Sequence, residues 1–146
     1  VSISTRGYTQ TLSKQIKIKT NDKDAGSVIL TMKAEILEIL SVTPAFVNLG
    51  KVDAGSIKNS GMTVLNKGKA PVSISRVTAK PESIISVLPD QAFILKPGEK
   101  KQLDITFNSG FSKGHTGGYV TLETDIENLP KKIIRVRAQV VEKKEP

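Results

Sequence analysis

AFILKPGEKKQLDITF, residues Ala92 to Phe107, is the stretch that decides the fold. A short apolar run, Phe93-Ile94-Leu95, enters Lys96-Pro97-Gly98-Glu99. Pro97 pre-sets φ for the first central position of a β-turn, and Gly98 supplies positive φ at the second. Beyond the turn the chain alternates. Leu103, Ile105 and Phe107 fall on one face, and Gln102, Asp104 and Thr106 on the other. A period of two marks a strand with one buried face. A lone strand-turn-strand is marginal in water, so the stretch predicts a larger sheet to which the rest of the chain contributes.

The 146 residues suffice for one ordinary domain with a core and part of another. Val and Ile are frequent and aromatic residues make up only 4%, which suits a thin β-sandwich core better than a large ligand cavity. There is no Cys, hence no disulfide framework and no Cys metal site. No apolar run approaches the roughly 18 residues needed to span a bilayer. The opening VSISTRGYTQ has neither signal-peptide nor transit-peptide character and no initiator Met, so a processed or excised piece of a longer product is expected. The net charge of +8 comes from 22 Lys and Arg against 14 Asp and Glu. Most of the excess is Lys, spread along the chain. Its densest pairs, Lys100-Lys101, Lys131-Lys132 and Lys143-Lys144, fall at turns and in the tail. A nucleic-acid binder clusters such charge among aromatics or Arg, so nucleic acid is not the expected partner. A solvated surface that discourages edge-to-edge aggregation is.

An internal repeat organises the whole. Offset by 104 residues, the first forty positions fall on the last forty without a gap, so that Val1 meets Ile105 and Ile3 meets Phe107. Ile16 then meets Val120, Ile18 meets Leu122, Leu30 meets Ile134, Met32 meets Val136, Ala34 meets Ala138 and Ile36 meets Val140. Intervening positions are polar in both copies, as with Lys33 and Arg137. The repeat resolves one ambiguity. Residues 29–40, ILTMKAEILEIL, read as an amphipathic helix, with Met32, Ile36, Leu37 and Leu40 on one face. The partner segment IIRVRAQVVEKK is β-branched and alternating. Two copies of one element share a conformation, so Val28 to Ile36 is expected to be a strand.

From Leu40 onward the pattern is that of one complete domain. Strands are expected at 45–49, 62–65, 72–77, 84–88, on either side of Pro97-Gly98, at 119–123 and at 132–140. Turns are expected at Gly50 to Gly55, at Asn66 to Lys69, where Asn and Gly tolerate positive φ, and at 125–130, with a Gly-rich loop from Gly110 to Gly118. Seven or eight short strands at regular spacing indicate an all-β, immunoglobulin-like antiparallel β-sandwich. Residues 40–146 would form it. Residues 1–39 would be the last three strands of a preceding repeat.

These residues carry a resemblance. VTPAFVNLGKVDAGS, TVLNKGKAPVSISRV, ILKPGEKKQLDITF and GGYVTLETD, in this order, resemble the DUF1573 family of bacterial Ig-like domains. They are also similar to the ASH (ASPM, SPD-2, Hydin) and major-sperm-protein-like modules. The matching features are Pro44, Leu49, Gly50 and Val52 in the opening, Asn66 and Gly68 before Pro71, and the Pro97-Gly98-Glu99 turn. The resemblance covers residues 41–141 as a full unit and 1–37 as the tail of another. It implies a non-catalytic unit of a tandem array with a structural or protein-binding role. It also implies an extracytoplasmic place, periplasmic or at the cell surface, in a bacterium.

The inventory for catalysis is thin. A single His, His115, lies in Lys113-Gly114-His115-Thr116-Gly117-Gly118, a string without Walker spacing. It reads as an exposed loop residue. Asp22 with Asp24, and Asp125 with Glu127, lack the ligand number and order of a calcium loop and read as polar turns. No enzyme activity, cofactor or metal is expected.

What remains is surface. The first and last strands of a sandwich expose backbone groups to which an extended partner can add. The outward row of the strand from Lys132 to Val140 includes Arg135 and Arg137, and its repeat counterpart offers Thr31 and Lys33. Lys33, Lys132, Arg135 and Arg137 form the candidate interaction surface, suited to an acidic protein partner. The half-repeat presents Ile16, Ile18, Leu30, Met32 and Ile36 with nothing in the sequence assigned to cover them. Homodimerisation or strand exchange through residues 1–37 would cover them, as would a lost portion of a tandem array. Two further readings stand beside the interaction module. One is a PapD-like chaperone or adaptor that donates or accepts a strand; the other is a basic binder of nucleic acid or an anionic surface.

Overall fold

A computed structural model of the chain describes residues 11–24 and 26–143. It divides into two units, 1–38 and 39–146. In the first, β1 (Leu12–Lys19) and β2 (Ser27–Ala34) form an antiparallel hairpin. Of the segment 29–40 that reads equally as a helix, residues 29–34 lie in β2 and 35–39 lie in no strand, so the strand expected to reach Ile36 ends at Ala34. The strand expected around Val1 and Ile3 lies outside the described residues. Leu12, Ile16 and Ile18 share one face with Val28, Leu30, Met32 and Ala34, interrupted by Lys14. The connecting turn is held by its own polar side chains. Thr20 Oγ1 accepts from the Asp22 amide at 3.2 Å, and Asp22 Oδ1 accepts from the Asp24 amide at 2.9 Å.

The second unit is a sandwich of two sheets. Its strands are β3 (Leu40–Thr43), β4 (Val47–Asp53), β5 (Ile57–Asn66), β6 (Val72–Lys80), β7 (Ile85–Leu88), β8 (Phe93–Leu95), β9 (Lys100–Asn108), β10 (Gly114–Thr124) and β11 (Lys131–Val141). One sheet runs β4-β11-β10-β6-β8 and the other β3-β5-β9-β7. All pairings are antiparallel except β4 with β11, which run parallel. The inner faces close on one cluster of Val, Ile and Leu around Phe107, with Val64, Ile74, Leu103, Ile105, Val120 and Ile134 fully buried. Burying an aliphatic side chain of this size contributes about 1.5–3 kcal/mol.

The turn at Pro97-Gly98 forms as its residues dictate. The Glu99 amide donates to the Lys96 carbonyl at 2.9 Å and Gly98 has φ +78°. Its two strands do not pair with each other, however. β8 joins β6 in one sheet, and β9 lies between β5 and β7 in the other. The expected hairpin is an arch across the sandwich. Alternation specifies which side of each strand is buried. Here Leu95 and Leu103 reach one core from opposite sheets.

Asn66 also differs from expectation. It is fully buried and has no positive φ. Its Nδ2 donates to the carbonyls of Ala70 at 2.8 Å and Leu95 at 2.9 Å, and its Oδ1 accepts from the Gly68 amide at 2.8 Å. Gly50, expected to end its strand, lies within β4 at φ +65°, and the Asn48 side chain accepts from its amide. The β4–β11 register shifts there, as at a bulge.

Candidate functional site

β10 and β11 lie side by side inside the five-stranded sheet. Their odd-numbered residues face away from the core. Cross-strand pairing puts Tyr119 opposite Arg135, Gly117 opposite Arg137 and His115 opposite Gln139. On the far side of β11, Asn48 of β4 stands opposite Arg137 and Lys51 opposite Gln139. On the far side of β10, Lys80 of β6 stands opposite Tyr119. The result is an open groove of about 490 Å³ along the outer face, with Gly117 at its floor and Arg135, Arg137, Tyr119 and His115 around it.

The two arginines, two residues apart on one strand, are spaced by about 7 Å along it. The Arg135 guanidinium lies over the Tyr119 ring, 5.6 Å from its centroid, a contact that holds the side chain along the sheet. Among the described residues no carboxylate lies within ion-pair distance of either arginine. Three carboxylates are engaged with lysines: Glu142 with Lys113 at 2.9 Å, Glu82 with Lys80 at 2.6 Å, and Glu123 with Lys131 at 3.8 Å. The hydrogen bond and charge of Lys80 hold the Glu82 carboxyl below its usual pKa.

Gly117 and Gly118 are not loop residues. Both lie in β10, where the backbone passes close to its neighbours. A Cβ on Gly117 would overlap the Val136 carbonyl oxygen, and one on Gly118 the Lys80 carbonyl oxygen. His115, expected in the loop, is likewise in β10 and is exposed. Among the described residues its side chain makes no hydrogen bond. A second, smaller groove of about 340 Å³ runs along residues 109–116 with Ile84 and the exposed Phe111.

Of the four residues of the expected surface, the structure brings together Arg135 and Arg137. Lys132 has the parity of Ile134. It stands opposite Leu122, on the other face of β11 from the arginines, and is only half-exposed. Lys33 belongs to the first unit, on the face of β2 opposite Ser13. The last strand offers no free backbone edge, because β11 is paired on both sides. Within the second unit the free edges belong to β3 and β7, of four residues each, to the three-residue β8 and to β4, broken at Gly50. Short or bulged edges resist strand addition. Tyr119 and Gly117 complete the groove but carry no sequence signal, since they meet the arginines only through pairing register.

Among the described residues no group of three or more His, Asp or Glu side chains gathers in metal-binding fashion. Asp125 instead fastens the 125–130 turn to β6, accepting from the Ser73 amide at 2.9 Å and donating its own amide to the Ser73 carbonyl at 3.1 Å.

A sequence profile of the HYDIN/CFA65/VesB-like Ig-like domain family matches residues 38–139. The chain belongs to this family. Among solved structures it is similar to the ASH/PapD-like domain of human CEP192, with 15% identity over 73% of this chain and 87% of that one, TM-score 0.55. A Porphyromonas gingivalis protein of unknown function matches 95% of this chain and 70% of its own at 13% identity, TM-score 0.58. The MSP-domain protein SSP-19 of Caenorhabditis elegans matches 68% of this chain and 98% of its own at 10% identity, TM-score 0.53. No curated protein matches. At these identities the likeness is one of fold, an Ig-like sandwich of the ASH and MSP kind. Among the described residues no helix is long and apolar enough to cross a membrane.

Proposed function

We propose that the chain is a non-catalytic interaction module within a tandem array, and that it binds an acidic, extended segment of a partner protein along the outer face of β10 and β11. The observation that carries this reading is the pair Arg135 and Arg137 above the glycine floor, without acidic partners among the described residues. Guanidinium forks bind carboxylates in bidentate fashion. An extended peptide with acidic residues at alternate positions presents them at the spacing of the arginines. The exposed Ile133, two residues before Arg135, offers an apolar neighbour. Arg135 lies over one face of the Tyr119 ring, which makes that ring a poorer platform for base stacking and favours peptide over nucleic acid. Resemblance to bacterial relatives supports an extracytoplasmic place for this binding.

The test is fluorescence anisotropy with a labelled (Glu-Ala)4 peptide at low ionic strength. Binding is expected to weaken with added salt and to fall about tenfold or more in Arg135→Ala/Arg137→Ala. Binding that ignores the double substitution removes the groove from the reading. A single-stranded oligonucleotide of similar length that binds as tightly at the same groove replaces the peptide with nucleic acid.

A further inference from the structure

The hairpin of the first unit matches that of the second in register as well as in sequence. Ile16 pairs with Leu30 as Val120 pairs with Ile134, and Leu12 with Ala34 as Thr116 with Ala138. Ile18 pairs with Val28 as Leu122 pairs with Lys132. Each pair is displaced by the same 104 residues. A slip of one residue would turn every side chain to the other face, so the shared register fixes which face of β1–β2 corresponds to the core face of β10–β11. In β10–β11 that face is sealed. Val120, Leu122, Ile134 and Val136 are 0% exposed beneath the sheet β3-β5-β9-β7. In β1–β2, Ile18, Val28 and Leu30 are 41%, 41% and 48% exposed, while Leu12 at the other end of the face is 8% exposed and Ile16, Met32 and Ala34 are half-buried, so the open part is the end next to the connecting turn.

We infer that β1–β2 is the closing hairpin of a second sandwich of the same fold, whose core face is covered by the Val, Ile and Leu side chains of a four-stranded sheet from an adjoining repeat. The occupant is thus a sheet of the β3-β5-β9-β7 kind, and neither a second copy of this chain nor a lipid surface. The complete domain shows what covers this face when the fold is closed. The array reading underlies the inference; the arginine groove does not enter it.

On this face the two copies differ at Leu12 and Thr116, at Val28 and Lys132, and at Lys14 and Gly118, and the last of these makes the inference specific. Lys14 stands where Gly118 stands in the complete domain. Beside Gly118 the Lys80 carbonyl, Pro81 and Ile85 leave no space for a side chain. The adjoining repeat must leave an exit there for the lysine stem, its ammonium reaching water at the rim.

The test joins residues 40–104 directly to Val1 of the full chain, with Lys14→Gly. Val1 then stands in for Ile105, and a complete sandwich precedes the existing one. Hydrogen exchange is followed strand by strand, with β10–β11 as the internal standard of a closed domain. The β1–β2 amides are expected to slow by about 100-fold or more relative to the ungrafted chain, approaching those of β10–β11. Unchanged exchange in β1–β2 beside protected β10–β11 overturns the inference. The ungrafted chain supplies a second decision, free of any folding failure of the graft. By light scattering it is expected to be monomeric, with the same mass after Leu30→Asp. A dimer that Leu30→Asp dissociates overturns the inference and assigns the face to a second copy. Failure of either expectation counts against the array reading alone, because the groove is measured separately by the peptide titration.

Discussion

The side-chain amide of Asn66 donates to the carbonyl of Leu95 at 2.9 Å across the arch between the two sheets. The same residue receives the Gly98 amide on its own carbonyl at 2.8 Å and gives its own amide to the Glu99 carbonyl at 3.1 Å. The end of β5 therefore clamps the Pro97-Gly98 turn from both sides, deep enough that no part of Asn66 reaches solvent. Asn66→Ala removes three side-chain hydrogen bonds and leaves the Ala70 and Leu95 carbonyls and the Gly68 amide without these partners. Each net bond contributes about 1 kcal/mol, and a buried group left unpaired costs more. Asn66→Ala is expected to lower the unfolding free energy by about 3 kcal/mol, read as a shifted urea midpoint at unchanged slope.

That clamp shows where sequence reading stops. Alternation identified Leu103, Ile105 and Phe107 as inward, and all three are at 0% exposure. It carried no information about which sheet each strand joins, because β8 and β9 bury their apolar sides whether they pair with each other or arch across the core. An Asn beside a Gly signals a turn, and nothing local distinguishes an Asn in left-handed conformation from one buried with its amide satisfied. Glycine misled in the same way. Gly50, Gly117 and Gly118 read as turn and loop, yet the constraint on Gly118 is a carbonyl from β6, dozens of residues away. For the surface, parity alone separates Arg135 and Arg137 from Lys132, since Lys132 shares the inward side with Ile134. Tyr119 and Gly117 are set against the arginines by register, which only the folded sheet displays.

Gly118→Ala should be among the most damaging single changes available in β10. The added methyl would overlap the Lys80 carbonyl and crowd Pro81 and Ile85. Backbone cannot step aside as a flexible side chain can, and overpacking of this kind costs about 3 kcal/mol. Gly114→Ala, at φ +123° with open space around its Cβ position, tests the alternative that glycine serves here through backbone freedom. Thermal unfolding of the two variants is expected to show the larger loss at Gly118.

The groove predicts a graded response to charge removal. Arg137→Ala is expected to weaken acidic-peptide binding by about tenfold, as loss of one charge-assisted contact. Tyr119→Leu, which keeps both charges and removes the ring beneath Arg135, is expected to cost about threefold, in line with an exposed cation–π contact. Lys132→Ala and Lys33→Ala are expected to leave the affinity unchanged, because the structure places neither on this face beside the arginines. An effect of Lys132→Ala equal to that of Arg137→Ala would show diffuse attraction to net charge in place of a defined site.

The internal repeat allows one substitution to be compared in two settings. Ile134 and Leu30 occupy the same place in the two hairpins, opposite Val120 and Ile16. Ile134 is 0% exposed and Leu30 is 48% exposed. Ile134→Ala removes a core side chain between closed sheets and is expected to cost about 3–4 kcal/mol, as transfer and cavity terms add. Leu30→Ala in the same chain takes away a side chain that is half in water already, and the expected loss is below about 1 kcal/mol. The two costs should converge when residues 40–104 are joined ahead of Val1 with Lys14→Gly, since Leu30 then acquires the cover that Ile134 has. Measured by urea unfolding in both chains, a large cost for Leu30→Ala before the graft would mean that its face is already covered, and that the register match records ancestry without an open position for a neighbouring repeat.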